Sequence, residues 1–273
     1  IASGDFEYDF TDNGRLQKKT NLVTGEVTSY VYDAVGNLIQ VTLPSGDVVE
    51  YLVDAVGRRV GKKVNGVLER QWLWRGKLQP VAELDGAGNL VARFVYAGGV
   101  NVPELMVTPT ATYRLLKDHF GSVRFVTNVA TGAVVQEIRY DAWGRVLVDT
   151  NPGLQPFGFA GGLYDGETGL VRFGARDLDS QVARWTSKDP LTFTAGVNFY
   201  EYTRGDPVGG SDPSGLITGQ CYQSIVRGCE EGCSAPFKGV CELACIALAV
   251  PDQEFGSGGY CPENENTAPD ICD

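Results

Sequence analysis

Thiols are the most reactive side chains in this sequence, and they are unevenly placed. All seven, Cys221, Cys229, Cys233, Cys241, Cys245, Cys261 and Cys272, lie at or beyond position 221. Cys229 with Cys233 and Cys241 with Cys245 form two four-residue steps, separated by a stretch holding Pro236 and Gly239. Residues four apart share a helix face. Two short helices joined at that turn would therefore pair Cys229 with Cys245 and Cys233 with Cys241. So small a segment buries little apolar surface and needs staples, which disulfides supply in an oxidising compartment. The same four thiols are a zinc ligand set, but zinc ligands commonly include histidine and sit on turns, so disulfides are the expectation. An odd count leaves one of Cys221, Cys261 and Cys272 free or paired between chains.

Other chemistry is sparse. His119 is the sole histidine and falls in a turn, so residues 1–216 hold no Ser–His or Cys–His nucleophile system. Asp-Pro occurs at Asp189-Pro190, Asp206-Pro207 and Asp212-Pro213; from spacing alone these read as turn openers. Trp72, Trp74, Trp143 and Trp185 fall on expected strands, where aromatic packing against a sheet is their role. Gly86-Ala87-Gly88 and Gly161-Gly162 lack a following helix pattern and hold no phosphate. No cofactor or metal is expected.

The elements that position these residues follow from a recurring phrase: an aromatic or apolar residue, Asp, two residues, Gly, a polar residue, then in most copies an apolar one. It appears at Tyr32-Asp33-Ala34-Val35-Gly36-Asn37-Leu38, at 53–59, 84–90 and 117–123, and at Tyr140-Asp141-Ala142-Trp143-Gly144-Arg145-Val146, with a degenerate copy at Phe10–Leu16. Thr24-Gly25, Ser45-Gly46 and Thr131-Gly132 mark a second turn between copies. Asp caps the turn through neighbouring backbone, Gly supplies positive φ, and the alternating flanks are strands. Each hairpin cannot bury its apolar face alone, so the units must stack edge to edge into one sheet that curls.

The 273 residues are 43% apolar and 21% charged, which excludes global disorder; 23 basic against 34 acidic side chains give a net charge of −11. So acidic a chain with no basic run lacks the footprint for nucleic acid or anionic lipid. The longest apolar stretch, Cys245–Val250, is far short of the roughly 20 residues of a membrane helix. Starting at Ile1 with no leader, the chain reads as a processed product or a piece of something longer. Composition changes where the cysteines begin: residues 217–273 hold two basic and nine acidic residues.

From the repeats onward the sequence resembles the bacterial YD-repeat, or Rhs, proteins. Gln155-Pro156-Phe157-Gly158-Phe159-Ala160-Gly161, Tyr164-Asp165 through Gly169-Leu170, Ala175-Arg176 through Arg184-Trp185, Ser187-Lys188-Asp189-Pro190, Asn198-Phe199-Tyr200-Glu201-Tyr202 and Asp212-Pro213-Ser214-Gly215-Leu216 are similar to the Rhs-associated core. The resemblance covers about residues 8–216 and divides the chain into YD-repeat sheet (1–150), core (151–216) and Cys-rich tail (217–273). It implies an all-β fold, a curled antiparallel sheet enclosing the segment after the core, and the cysteine spacing adds a stapled helical hairpin at the C-terminus. Relatives take many more repeats to complete a shell, so the chain is either the end of a longer shell or a reduced one.

The resemblance also implies an aspartic autoprotease, acting at most once per chain: Asp189 and Asp212 would share a proton and cut between Leu216 and Ile217. In that reading Asp189 arrives from a neighbouring strand. Two departures bear on it. The glycine-rich Asp206-Pro207-Val208-Gly209-Gly210-Ser211 would loosen the pair, and Asp177-Leu178-Asp179-Ser180 would add acid near it. The expected partners are the chain's own C-terminal segment and other copies of itself, at a bacterial cell surface or secreted. The tail has no histidine, which disfavours a catalytic toxin. Two alternatives remain: a non-catalytic extracellular adhesive or filament-forming protein, and a caged antibacterial effector with the tail as toxin.

Overall fold

A computed structural model describes residues 2–190 and 198–216. The expected helical hairpin and every cysteine lie outside the described residues, as does Ile217. Fifteen strands form one antiparallel sheet in chain order: β1 Ala2–Ser3, β2 Phe6–Phe10, β3 Leu16–Asn21, β4 Val27–Tyr32, β5 Leu38–Thr42, β6 Val48–Val53, β7 Arg59–Val64 and β8 Val67–Arg75, then β9 Gln79–Asp85, β10 Leu90–Val95, β11 Leu105–Val107, β12 Thr112–Lys117, β13 Val123–Asn128, β14 Val134–Tyr140 and β15 Val146–Asp149. A four-stranded sheet follows, of β16 Leu163–Tyr164, β17 Leu170–Arg172, β18 Asp177–Asp179 and β19 Arg184–Trp185. The all-β expectation holds. No described helix is long and apolar enough to cross a membrane.

The repeat phrase builds the hairpins as its chemistry dictates. Asp33 Oδ1 accepts the amides of Gly36 (2.7 Å) and Asn37 (2.9 Å), and its Oδ2 takes the Asn37 side chain at 2.8 Å. Asp54, Asp85, Asp118 and Asp141 cap in the same way. The register shifts beside each of these turns, between Val31 and Tyr32, Leu52 and Val53, Leu90 and Ala92, Leu116 and Lys117, and Arg139 and Tyr140. A bulge bends and twists its strand, so a bulge per repeat curls the sheet. The Asn65-Gly66 turn lies outside the phrase and joins β7 to β8 with positive φ at both residues, the pattern of a tight primed turn. Trp72, Trp74 and Trp185 lie on strands, but Trp143 sits in the Asp141–Gly144 turn, where the repeat places its two turn residues.

The open sheet curls against the small sheet. Tyr8, Leu16, Leu38 and Val49 from the early strands pack on Leu170. Phe94, Met106 and Val126 from the late strands pack with Phe157 and Leu163. The wall also presents charge to the small sheet. Lys19 meets Asp179 at 2.7 Å, Arg59 meets Asp177 at 2.9 Å, and Lys62 meets Asp165 at 3.1 Å and also Glu167. Asp177 also binds Arg172 at 2.9 Å. Burial works to raise Asp165, but Lys62, the hydrogen bond with Glu167, and Arg59 outweigh it and hold the carboxyl below its ordinary range. Tyr51 completes the cluster, donating to Asp165 at 2.8 Å with the Arg59 guanidinium 3.4 Å above its ring.

Glu83, on β9, behaves differently. Burial pushes its carboxyl up to about 7, with Arg70 and Lys62 only partly opposing. The Arg70 ion pair is 3.0 Å long, but Arg70 is 39% exposed against 8% for Glu83, so water screens the cation more than the carboxylate, and desolvation prevails.

Two outcomes follow. A Cβ on Gly144, at φ +89°, would lie 2.4 Å from Phe159 Cγ, whereas one on Gly25, at φ +76°, meets open space. Gly25→Ala should cost the strain of a left-handed alanine, ~1–2 kcal/mol, and Gly144→Ala clearly more; equal shifts in urea midpoint would contradict this packing. For Glu83 the folded state binds the proton more tightly, so this group's contribution to stability is fully present below about pH 4.5 and is lost as pH rises to about 7. The span corresponds to about 3 kcal/mol. Glu83→Gln should flatten urea stability between pH 5 and 8 and raise it at pH 8; an unchanged slope would oppose this assignment.

Candidate functional site

The two aspartates implied by the resemblance converge. Asp189 follows β19 in an irregular segment rather than on a strand, with its amide tied to the Phe199 carbonyl at 3.0 Å. Asp212 opens the turn that ends the described chain, with the Gly215 amide returning to the Asp212 carbonyl at 3.2 Å. Both carboxylates bind the same Nη2 of Arg176, Asp189 at 2.7 Å and Asp212 at 3.4 Å. All three side chains are at most 4% exposed.

Arg176 organises this site. Its Nε donates to the Gly215 carbonyl and its Nη1 to the Phe199 carbonyl, while its guanidinium lies 4.3 Å from the Trp185 ring centre. Burial draws the guanidinium down from its ordinary range, and Asp189 and Asp212 oppose that. Asp212 Oδ1 accepts the Ser214 hydroxyl at 3.0 Å and the Leu216 amide at 3.1 Å. Asp212 is thus bonded directly to the residue whose carbonyl precedes Ile217.

Asp177 and Asp179 are not added acid at this site, because Arg59 and Arg172, and Lys19, hold them. The glycine-rich stretch is held locally: Asp206 Oδ1 accepts the Gly209 amide at 2.8 Å, and the Asp206 amide donates to the Thr203 carbonyl at 3.1 Å. His119 is an exposed turn residue with its ring 3.9 Å from that of Phe120. Among the described residues no group of three or more His, Cys, Asp or Glu could hold a metal.

Sequence reasoning passed over Arg176 as an actor. Its signal was present: a cation amid Phe173, Gly174 and Ala175 must be buried with a partner or excluded. Arg59 gave a similar signal, standing where the repeat phrase calls for an apolar residue.

The Teneurin YD-shell family profile matches residues 1–208. Teneurin-1 of Gallus gallus is 27% identical over 216 residues, covering 76% of this chain and 7% of that protein. Double-stranded DNA deaminase toxin A of Burkholderia cenocepacia is 39% identical over 105 residues, covering 36% of this chain and 7% of the toxin. Among solved structures, TcdB2-TccC3-TEV aligns with a TM-score of 0.54 at 16% identity, covering 77% of this chain and 13% of that one. The Photorhabdus luminescens Tc holotoxin pore aligns at 0.52 and 16%, covering 78% and 13%. The chain therefore spans a small part of these relatives, and the structural likeness carries the fold. Profile, repeat phrase and curled sheet agree, and the chain belongs to the teneurin YD-shell family.

Proposed function

We propose that this chain is the closing part of a YD shell that retains its own C-terminal segment and cuts itself once, between Leu216 and Ile217. The observation that supports this reading is the shared guanidinium: Asp189 and Asp212 meet on Arg176 Nη2, and Asp212 holds the Leu216 amide. Two carboxylates alone in a buried site repel; the cation between them lets both be buried.

In the proposed reaction one aspartate takes a proton from a water that attacks the Leu216 carbonyl carbon. The other, protonated, donates to the carbonyl oxygen; as the tetrahedral intermediate collapses it takes a hydroxyl proton back, while the first aspartate passes the proton it took from water to the departing Ile217 amine and the C–N bond breaks. Arg176 is a positioning residue, gripping the Gly215 carbonyl beside the reacting peptide. Because the peptide belongs to the same chain, its orientation is already supplied. The reading places the protein at a cell surface or secreted. The match to a protein named as a toxin supports a delivered C-terminal segment over a purely adhesive role.

Intact mass spectrometry after reduction tests this. The wild-type protein should resolve into 1–216 and 217–273, and Asp189→Asn or Asp212→Asn should slow that cut by at least ~100-fold. A wild-type chain that stays whole, or variants that cut at the wild-type rate, would refute the assignment.

A further inference from the structure

Beside Leu216 lies a cleft of about 420 Å³, bounded by the Asp-x-x-Gly turns of the first repeats and by the segment around Lys188. Its charged lining is one-sided. Arg15, Arg58, Lys77 and Lys188 face it, and the single lining carboxylate, Asp189, is held by Arg176 at 2.7 Å. Arg58 pairs with Asp54 at 2.7 Å. Among the described residues the Arg15 guanidinium donates only to the Asp33 and Ala34 carbonyls, at 2.9 and 3.3 Å, and meets no carboxylate. Among the described residues Arg15, Lys77 and Lys188 form no ion pair, and Lys77 and Lys188 are exposed. The cleft is a cationic patch on a chain whose net charge is −11.

What would neutralise it begins at its rim. Leu216 lines the cleft, and the residues after it carry nine acidic and two basic side chains. We propose that this cleft is the docking site for segment 217–273 of the same chain, its lysines receiving the carboxylates of Glu230, Glu231 and Glu242. Residues 217–229 contain one charge, Arg227, and act as a tether; at no more than ~3.6 Å per residue they can fold back onto the cleft. Attachment at Leu216 keeps the acids at high effective concentration, so separate exposed pairs, each weak alone, act together. The inference deepens the reading that the chain retains its C-terminal segment, and it does not require the bond after Leu216 to be cut.

Zero-length carbodiimide cross-linking of the full chain, mapped by mass spectrometry, tests this. Lys77 and Lys188 should form isopeptide bonds to carboxylates at or beyond Glu230, and these links should fall to background in 1 M salt, where the screening length is about 3 Å. Links from the tail to Lys18, Lys63 or Lys117 with none to Lys77 or Lys188 would overturn this site while leaving retention of the segment intact. No link from the tail to any lysine of residues 1–216 would overturn both. Links joining only differently isotope-labelled chains would assign the cleft to a second copy and reject the intramolecular docking.

Discussion

Asp177 lies between two guanidinium groups, Arg59 from the wall and Arg172 from the sheet the wall surrounds, and the rest of the structure depends on that contact. The wall is a row of hairpins with bonds chiefly between chain neighbours, so its bulges give it a curl but no ladder bond joins its two ends. The tightness of the curl depends on what it packs upon. Apolar packing grips the inner sheet at the two ends of the row. In the middle strands the grip is ionic. Such charges are costly to bury and hold only when paired, which makes this contact selective for one placement of the inner sheet.

That placement also positions the aspartate pair. Arg172 and Asp177 flank the turn that carries Arg176, and the Gly174 and Ala175 amides bind the carbonyls of Pro213 and Ser214 at 3.2 and 2.8 Å. The turn that docks the inner sheet therefore also holds the segment ending at Leu216. A register change in β17 or β18 would displace Arg176 and separate Asp189 from Asp212. Arg15, at the wall's third strand, bridges to Ser187, which ties the segment carrying Asp189 to the same wall.

Much of this architecture was legible because it is local. An Asp three residues before a Gly reports its own turn, and Gly36 or Gly144 needs no distant partner to require positive φ. The hairpin at Asn65-Gly66 was equally local but lay outside the repeating phrase. The ionic contacts were not legible in the same way. Lys19 and Asp179 are 160 residues apart, and only the folded curl decides that Asp179 faces Lys19 while Asp189 faces Arg176. Spacing alone read all three Asp-Pro steps as turns; the structure separates them, since Asp206 only caps a turn while Asp189 and Asp212 share a cation.

The most direct test of this account is the urea stability of Asp177→Asn beside the triple replacement Arg59→Met, Asp177→Leu and Arg172→Met. Losing the shared carboxylate strands two buried guanidinium groups, so the single change should cost about 3–5 kcal/mol, and the triple, which removes every charge, should recover most of that. A single variant as stable as wild type would show that the wall closes on its inner sheet without this ionic contact.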